Sequence, residues 1–132
     1  MDNWVFCEYI CARDRSDHQE WYVNLTSAAQ AHFDSRLMYI QALTKIQRPH
    51  WAPLTRDGKG LVEVRFQTEN IQHRAIACMG HYVVDDGSLS DHVIFLGGLI
   101  EKGEKFPKGA LDKMQRRKKD LIKTKNYKPL QN

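Results

Sequence analysis

LVEVRFQTENIQHRAIACMG, residues 61–80, is the stretch whose reading decides the fold. Val62, Val64 and Phe66 alternate with Glu63 and Arg65, so one face of an extended segment is apolar and the other charged. Gln67 to Ile71 then supplies a turn, because Asn70 tolerates left-handed dihedrals and can bond its own backbone. Gln72 to Gly80 returns as a second strand. With the hairpin centred on Glu69-Asn70, residues whose numbers sum to 139 face each other, which sets Arg65 opposite Arg74. Two guanidinium groups so opposed repel unless a carboxylate or a bound anion lies between them. Glu63, on the same face, offers a local salt-bridge cluster. A phosphate clamp is the other reading. The clamp predicts that either Arg→Ala change leaves the fold intact or slightly stabilised, as like-charge repulsion is relieved.

Downstream, Asp85-Asp86-Gly87-Ser88 reads as a polar tip. HVIFLGGLI, residues 92–100, reads as a strand apolar enough to be buried on both faces. Gly97-Gly98 within it suits a bulge or a close backbone approach. Pro107 favours a first helical position and is expected to open the last helix. Ala110, Leu111, Met114, Leu121 and Ile122 form that helix's buried edge, and Arg116, Arg117, Lys118 and Lys119 occupy the remainder. KTKNYKPLQN, residues 123–132, has no periodicity and is either disordered or docked through Tyr127 and Leu130. A single domain over residues 1–123 with a basic tail over 124–132 is the expected division.

Upstream, WVFCEYIC, residues 4–11, is rich in aromatic and β-branched residues and reads as a strand. Ser16 with Gln19, or Asp17 with Glu20, fits a capping box opening a short helix through Trp21 and Leu25. Thr26 caps a longer helix, Ser27 to Lys45, in which Ala29, Phe33, Leu37, Ile40 and Leu43 or Thr44 make one apolar stripe. Pro49 and Pro53 end the helical region, and His50-Trp51-Ala52 reads as an irregular link. Asp57-Gly58-Lys59-Gly60 lacks the Gly-Lys-Ser/Thr of a phosphate loop. The expected fold class is α+β, in the order β-α-α-β-β-β-α. About four antiparallel strands form its sheet, with helices on one face.

Within 132 residues there is no apolar run near the roughly 18 that a spanning helix needs, and no basic-then-apolar leader pattern. The three cysteines, Cys7, Cys11 and Cys78, are an odd number without zinc-ribbon spacing. Reduced thiols, a cytoplasmic location, no membrane and no metal or other cofactor are expected. Charge is uneven. Residues 1–100 carry 9 Lys/Arg against 12 Asp/Glu (−3), and residues 101–132 carry 11 against 4 (+7). Such a basic end could be a solvated helix face or could meet phosphate or an acidic partner.

Gly60-Leu61-Val62-Glu63-Val64-Arg65, then His73-Arg74, then Gly98-Leu99-Ile100-Glu101-Lys102-Gly103-Glu104-Lys105-Phe106-Pro107, together resemble the HigB branch of the RelE/ParE toxin superfamily. That family typically shows a Gly-x-x-Glu-hydrophobic-Arg strand and a Tyr-Arg strand. Phe-x-Lys-Lys-Thr-x-Lys-x-Pro then precedes the final helix. The resemblance covers roughly half of the chain. Here His73 stands for the Tyr, Leu99 for the Phe, Glu101 for the first Lys and Gly103 for the Thr.

The resemblance implies the toxin of a type II toxin–antitoxin system, a metal-free endoribonuclease that cuts messenger RNA on the ribosome. Its implied partner is a cognate antitoxin containing a helix-turn-helix domain. In that chemistry the adjacent 2′-hydroxyl attacks phosphorus, and the protein orients it and stabilises the extra negative charge. Arg65 and Arg74 suit the second task, since planar guanidinium donors bind phosphate oxygens in pairs. Lys102 and Lys105 would add charge, and His92 is a candidate proton carrier. Glu63, Arg116, Arg117, Lys119 and Tyr127 are the candidate substrate contacts. The alternative is a non-catalytic relative, either a ParE-like inhibitor of DNA gyrase or a degenerate RNA- or protein-binding module.

Overall fold

The computed structural model of the chain describes residues 3–45, 51–101 and 106–130. In chain order its elements are β1 (Val5–Tyr9), α1 (Asp17–Val23), α2 (Ser27–Gln41), β2 (Trp51–Pro53), β3 (Val62–Thr68), β4 (Ile71–Met79), β5 (His92–Glu101), α3 (Ala110–Thr124) and β6 (Tyr127–Pro129). The fold is α+β, with a six-stranded, mostly antiparallel sheet in the order β2-β3-β4-β5-β1-β6.

The hairpin forms in the register expected of it. Glu69 and Asn70 both take left-handed dihedrals, with φ of 54° and 65°, and Arg65 pairs directly with Arg74. The helix starts are also as the caps predict. The Ser16 hydroxyl accepts from the Gln19 amide at 3.0 Å, and the Thr26 hydroxyl accepts from the Ala29 amide at 3.1 Å. Ala29, Phe33, Leu37 and Ile40 of α2 are buried as the stripe predicts. The helix ends at Gln41, short of Lys45.

Four expectations are corrected. Among the described residues six strands replace four, because Trp51–Pro53 pairs with β3 and Tyr127–Pro129 pairs with β1. Trp51 is fully buried, while Pro53 is confined to an outer strand, where its missing N–H costs no ladder bond. The C-terminal segment is thus docked in the sheet. The sheet is not wholly antiparallel, since β1 lies parallel to β5, with Cys7 beside Ile94. Helices cover both faces. Alternate residues of the same strands belong to two cores, Ala75, Ala77, Val93 and Phe95 with α1 and α2, and Ile76, Cys78, Ile94 and Leu96 with Met114 and Leu121 of α3. Finally, α3 opens at Ala110 instead of Pro107, after a turn in which Gly109 takes a φ of 77°.

A bulge between Ile76 and Ala77 sets the relation between β4 and β5. Ala77 pairs with Phe95 but Ile76 pairs with Gly97, so Leu96 is the extra residue. Leu96 and Gly97 then both meet α3, where a Cβ on Gly97 would lie 2.5 Å from Arg117 Nη1. Gly98 turns to the other face, where a Cβ would stand 2.1 Å from the Trp21 ring. Each glycine is therefore a site of close approach, on opposite sides of the sheet.

His18 of α1 is fully buried among the rings of Trp21, Phe33 and Phe95, and among the described residues neither of its ring nitrogens has a hydrogen-bond partner. Burial pushes its pKa from 6.5 down to about 3. Well above pH 6.5 the ring is neutral in both folded and unfolded states and contributes no pH dependence. Below that, only the unfolded chain gains the proton, so stability is lost as pH falls, at up to about 1.4 kcal/mol per unit well below the unfolded pKa. Burial lowers the His73 pKa as well, with the same sign. Urea unfolding should therefore give a lower midpoint at pH 5 than at pH 7. His18→Phe should flatten most of that difference, and an equal difference in both proteins would show that His18 is not its source.

Candidate functional site

The charged face of the hairpin carries a cluster that alternates in sign. Arg74 Nη1 donates to Glu63 Oε2 at 2.6 Å. Arg74 Nε and Nη2 both donate to Glu101 Oε2, at 2.9 and 2.7 Å. The Phe106 ring lies over the guanidinium, 4.5 Å from its carbon to the ring centre. Glu63 Oε1 faces Arg65 Nε at 3.8 Å. The sequence along the cluster is thus Glu101, Arg74, Glu63, Arg65, with formal charges that cancel.

The two arginines differ in what they can still do. The Arg74 side chain is only 10% exposed, and two carboxylates and a ring occupy it. Arg65 is 35% exposed at its side chain, and its carboxylate contact is a long one. Its planar fork can therefore still receive an anion. The Glu63 carboxylate, between the two guanidinium groups, answers the repulsion that direct opposition creates, as the salt-bridge reading expects. For Arg74→Ala the geometry points the opposite way from the clamp's expectation of an intact fold: removing that cation would strand Glu63 and Glu101, both nearly buried, without their main partner.

Other candidate residues are scattered. His92 lies at the start of β5, paired with Val5, while Arg74 pairs with Leu99 near the other end. At about 3.3 Å per residue the two ends are roughly 20 Å apart, too far to share one phosphate. His92 Nδ1 instead contacts Asp91 at 2.8 Å, and its ring meets Tyr127 edge-on at 6.1 Å. Tyr127 sits opposite Tyr9 on β6. Lys102 and Lys105 lie outside the described residues. His73 points to the face covered by α1 and α2 and stacks on Phe66 at 4.8 Å, away from Arg74.

On α3 the basic residues divide by task. Arg117 is structural, with Nη1 donating to the Leu96 carbonyl at 3.0 Å and Nε 3.2 Å from Asp17. Lys118 lies over the Tyr82 ring at 4.0 Å. Arg116 and Lys119 are exposed and line an open groove of about 300 Å³ with Gln115, Lys118 and Ile122. Gln115 fixes that side of the helix by donating to the carbonyls of Asp57 and Lys59 at 3.0 and 2.9 Å. Among the described residues no three His, Cys, Asp or Glu side chains are grouped to hold a metal ion. None of the described helices is long and apolar enough to cross a membrane.

Glu101 and Phe106 are the members of the site that the sequence reading missed. Glu101 stands out in sequence only as a substituted lysine. Its place beside Arg74 depends on the bulge, which shifts the β4–β5 register by one residue and so brings Glu101 to the Arg74 face. No family model matches this chain, and no curated protein matches it.

Proposed function

We propose that this chain is a toxin of the RelE/ParE kind, nearest the HigB branch, and that it cleaves messenger RNA. The observation that carries the proposal is the Arg65–Arg74 cross-strand pair, in which Arg65 retains open donors. The order β-α-α-β-β-β-α expected from the sequence, with which the resemblance agrees, runs through the chain, with β2 and β6 added at the two edges of the sheet. The exposed Arg116 and Lys119 supply charge along which a nucleic-acid backbone could run.

In the proposed reaction the 2′-hydroxyl of one nucleotide attacks the phosphorus that follows it. The 2′-hydroxyl gives up its proton to water as the new bond to phosphorus forms, the bond to the next 5′-oxygen breaks, and that leaving oxygen takes a proton from water, so the products are a 2′,3′-cyclic phosphate and a 5′-hydroxyl. Arg65 stabilises the charge that builds on the phosphoryl oxygens, and Glu63, anchored by Arg74, holds the Arg65 guanidinium in place. His92 is too distant to move a proton in this reaction. The proposed partners are ribosome-bound messenger RNA and a neutralising antitoxin, whose acidic surface would match the basic C-terminal third.

A non-catalytic binder is the second reading, and one observation favours it. Glu63 and Glu101 take three of the five N–H donors of the nearly buried Arg74, so Arg65 is the more open arm of the clamp. A single induction experiment separates the readings. Expression in bacteria should arrest growth and create new messenger RNA ends bearing 5′-hydroxyls, with gyrase supercoiling activity unchanged. Arrest without new ends, or with gyrase inhibited, would overturn the ribonuclease proposal in favour of the second reading.

A further inference from the structure

We infer that Glu101 is a carboxylate latch: it occupies the edge of Arg74 that a substrate phosphate would use, and it must leave for the site to bind RNA fully. The inference rests on the RNA-binding reading above and adds its regulation. The Nε–Nη2 edge of a guanidinium is one of the two-donor forks by which it grips phosphate or carboxylate. Glu101 Oε2 takes both of those donors, at 2.9 and 2.7 Å. Glu63 meanwhile takes only Nη1. The Nε–Nη2 fork is thus filled from within the chain.

Two features make the carboxylate the replaceable partner. Glu101 is the last residue of β5, opposite Gln72 at the end of the ladder, so a side-chain rotation frees it without disturbing a strand interior. Glu63 lies mid-hairpin between the two arginines and has no such freedom. Charge also favours exchange over addition. The four side chains sum to zero, so a phosphate added beside Glu101 leaves a net −1 in a nearly buried cluster. A phosphate that replaces Glu101 keeps the sum at zero.

The test is binding of a fluorescent 2′-O-methyl oligoribonucleotide, which cannot be cleaved through its 2′-oxygen, across a range of salt concentrations. Glu101→Gln should bind about tenfold tighter than the unaltered chain, the scale of one charge-assisted hydrogen-bonded contact. Its log–log salt dependence should steepen by about 0.7, the increment for one more phosphate neutralised on a single strand. Asp85→Asn, which makes the same change in net charge at an exposed loop, should show neither effect. The gain should also vanish when Arg74 is Lys, which keeps the charge and loses the fork. A gain matched by Asp85→Asn, or one that survives Arg74→Lys, overturns the latch. So does a Glu101→Gln chain that no longer folds, since a latch must be able to leave. Binding by the unaltered chain with no gain overturns the latch alone, whereas no binding by any variant overturns the RNA reading with it.

Discussion

Arg65→Ala is expected to lower RNA cleavage by about 100- to 1000-fold, the usual loss when one transition-state donor is removed. Thermal stability should change by no more than about 0.5 kcal/mol, because the side chain is partly exposed and Glu63 keeps its short bond to Arg74. The separation between activity and stability is what makes this variant informative. Arg65→Lys should recover little, since an ammonium is a point charge and cannot grip two phosphoryl oxygens in one plane. Single-turnover cleavage and thermal melting measured on the same preparations check both halves. An Arg65→Ala protein that cuts RNA at the normal rate would remove Arg65 from the site.

What the sequence made legible follows from where local chemistry dominates. The hairpin register could be counted because Glu69-Asn70 is a turn whose backbone needs are local, and every β3–β4 pairing follows from it. The stripe on α2 and the caps at Ser16 and Thr26 are likewise local patterns. Less legible were features that depend on another part of the chain. Trp51–Pro53 and Tyr127–Pro129 are three-residue strands containing proline, and nothing within them signals pairing. They become strands only because β3 and β1 present open edges, and their prolines help to close the sheet against further addition.

The sheet's second face was legible in part. HVIFLGGLI reads as buried on both sides, and that reading already requires a helix on each face, yet the count of elements alone suggests a single covered face. The basic residues of the last helix conceal its role, because Met114 and Leu121 are the buried contacts on a helix otherwise dominated by charge. At the site, Arg65, Arg74 and Glu63 follow from the hairpin. Glu101 does not: Gly97-Gly98 suits a bulge, but it does not say that Leu96 is the extra residue, and that choice is what brings Glu101 to the Arg74 face.

Arg74→Ala should behave in the opposite way to Arg65→Ala. It removes the central cation of the cluster and leaves Glu63 and Glu101, whose side chains are 4% and 6% exposed, facing the space it filled. Breaking a buried ion pair by deleting one partner costs about 3–5 kcal/mol, because the remaining charge stays desolvated. For a chain of this size that corresponds to a fall in melting temperature of roughly 10–20 °C. Loss of activity in this variant would then say nothing about phosphate contact, since most of it would follow from unfolding. A triple change, Arg74→Ala with Glu63→Gln and Glu101→Gln, separates the causes by removing the stranded charges along with the cation. Stability should recover by most of the loss, while RNA binding remains weak because the fork is gone. If Arg74→Ala melts within a few degrees of the unaltered chain, water reaches the two carboxylates and the cluster is not a desolvated one. If the triple variant melts as low as Arg74→Ala, the cost lies in lost packing under Phe106, 4.5 Å from the guanidinium, and not in charge.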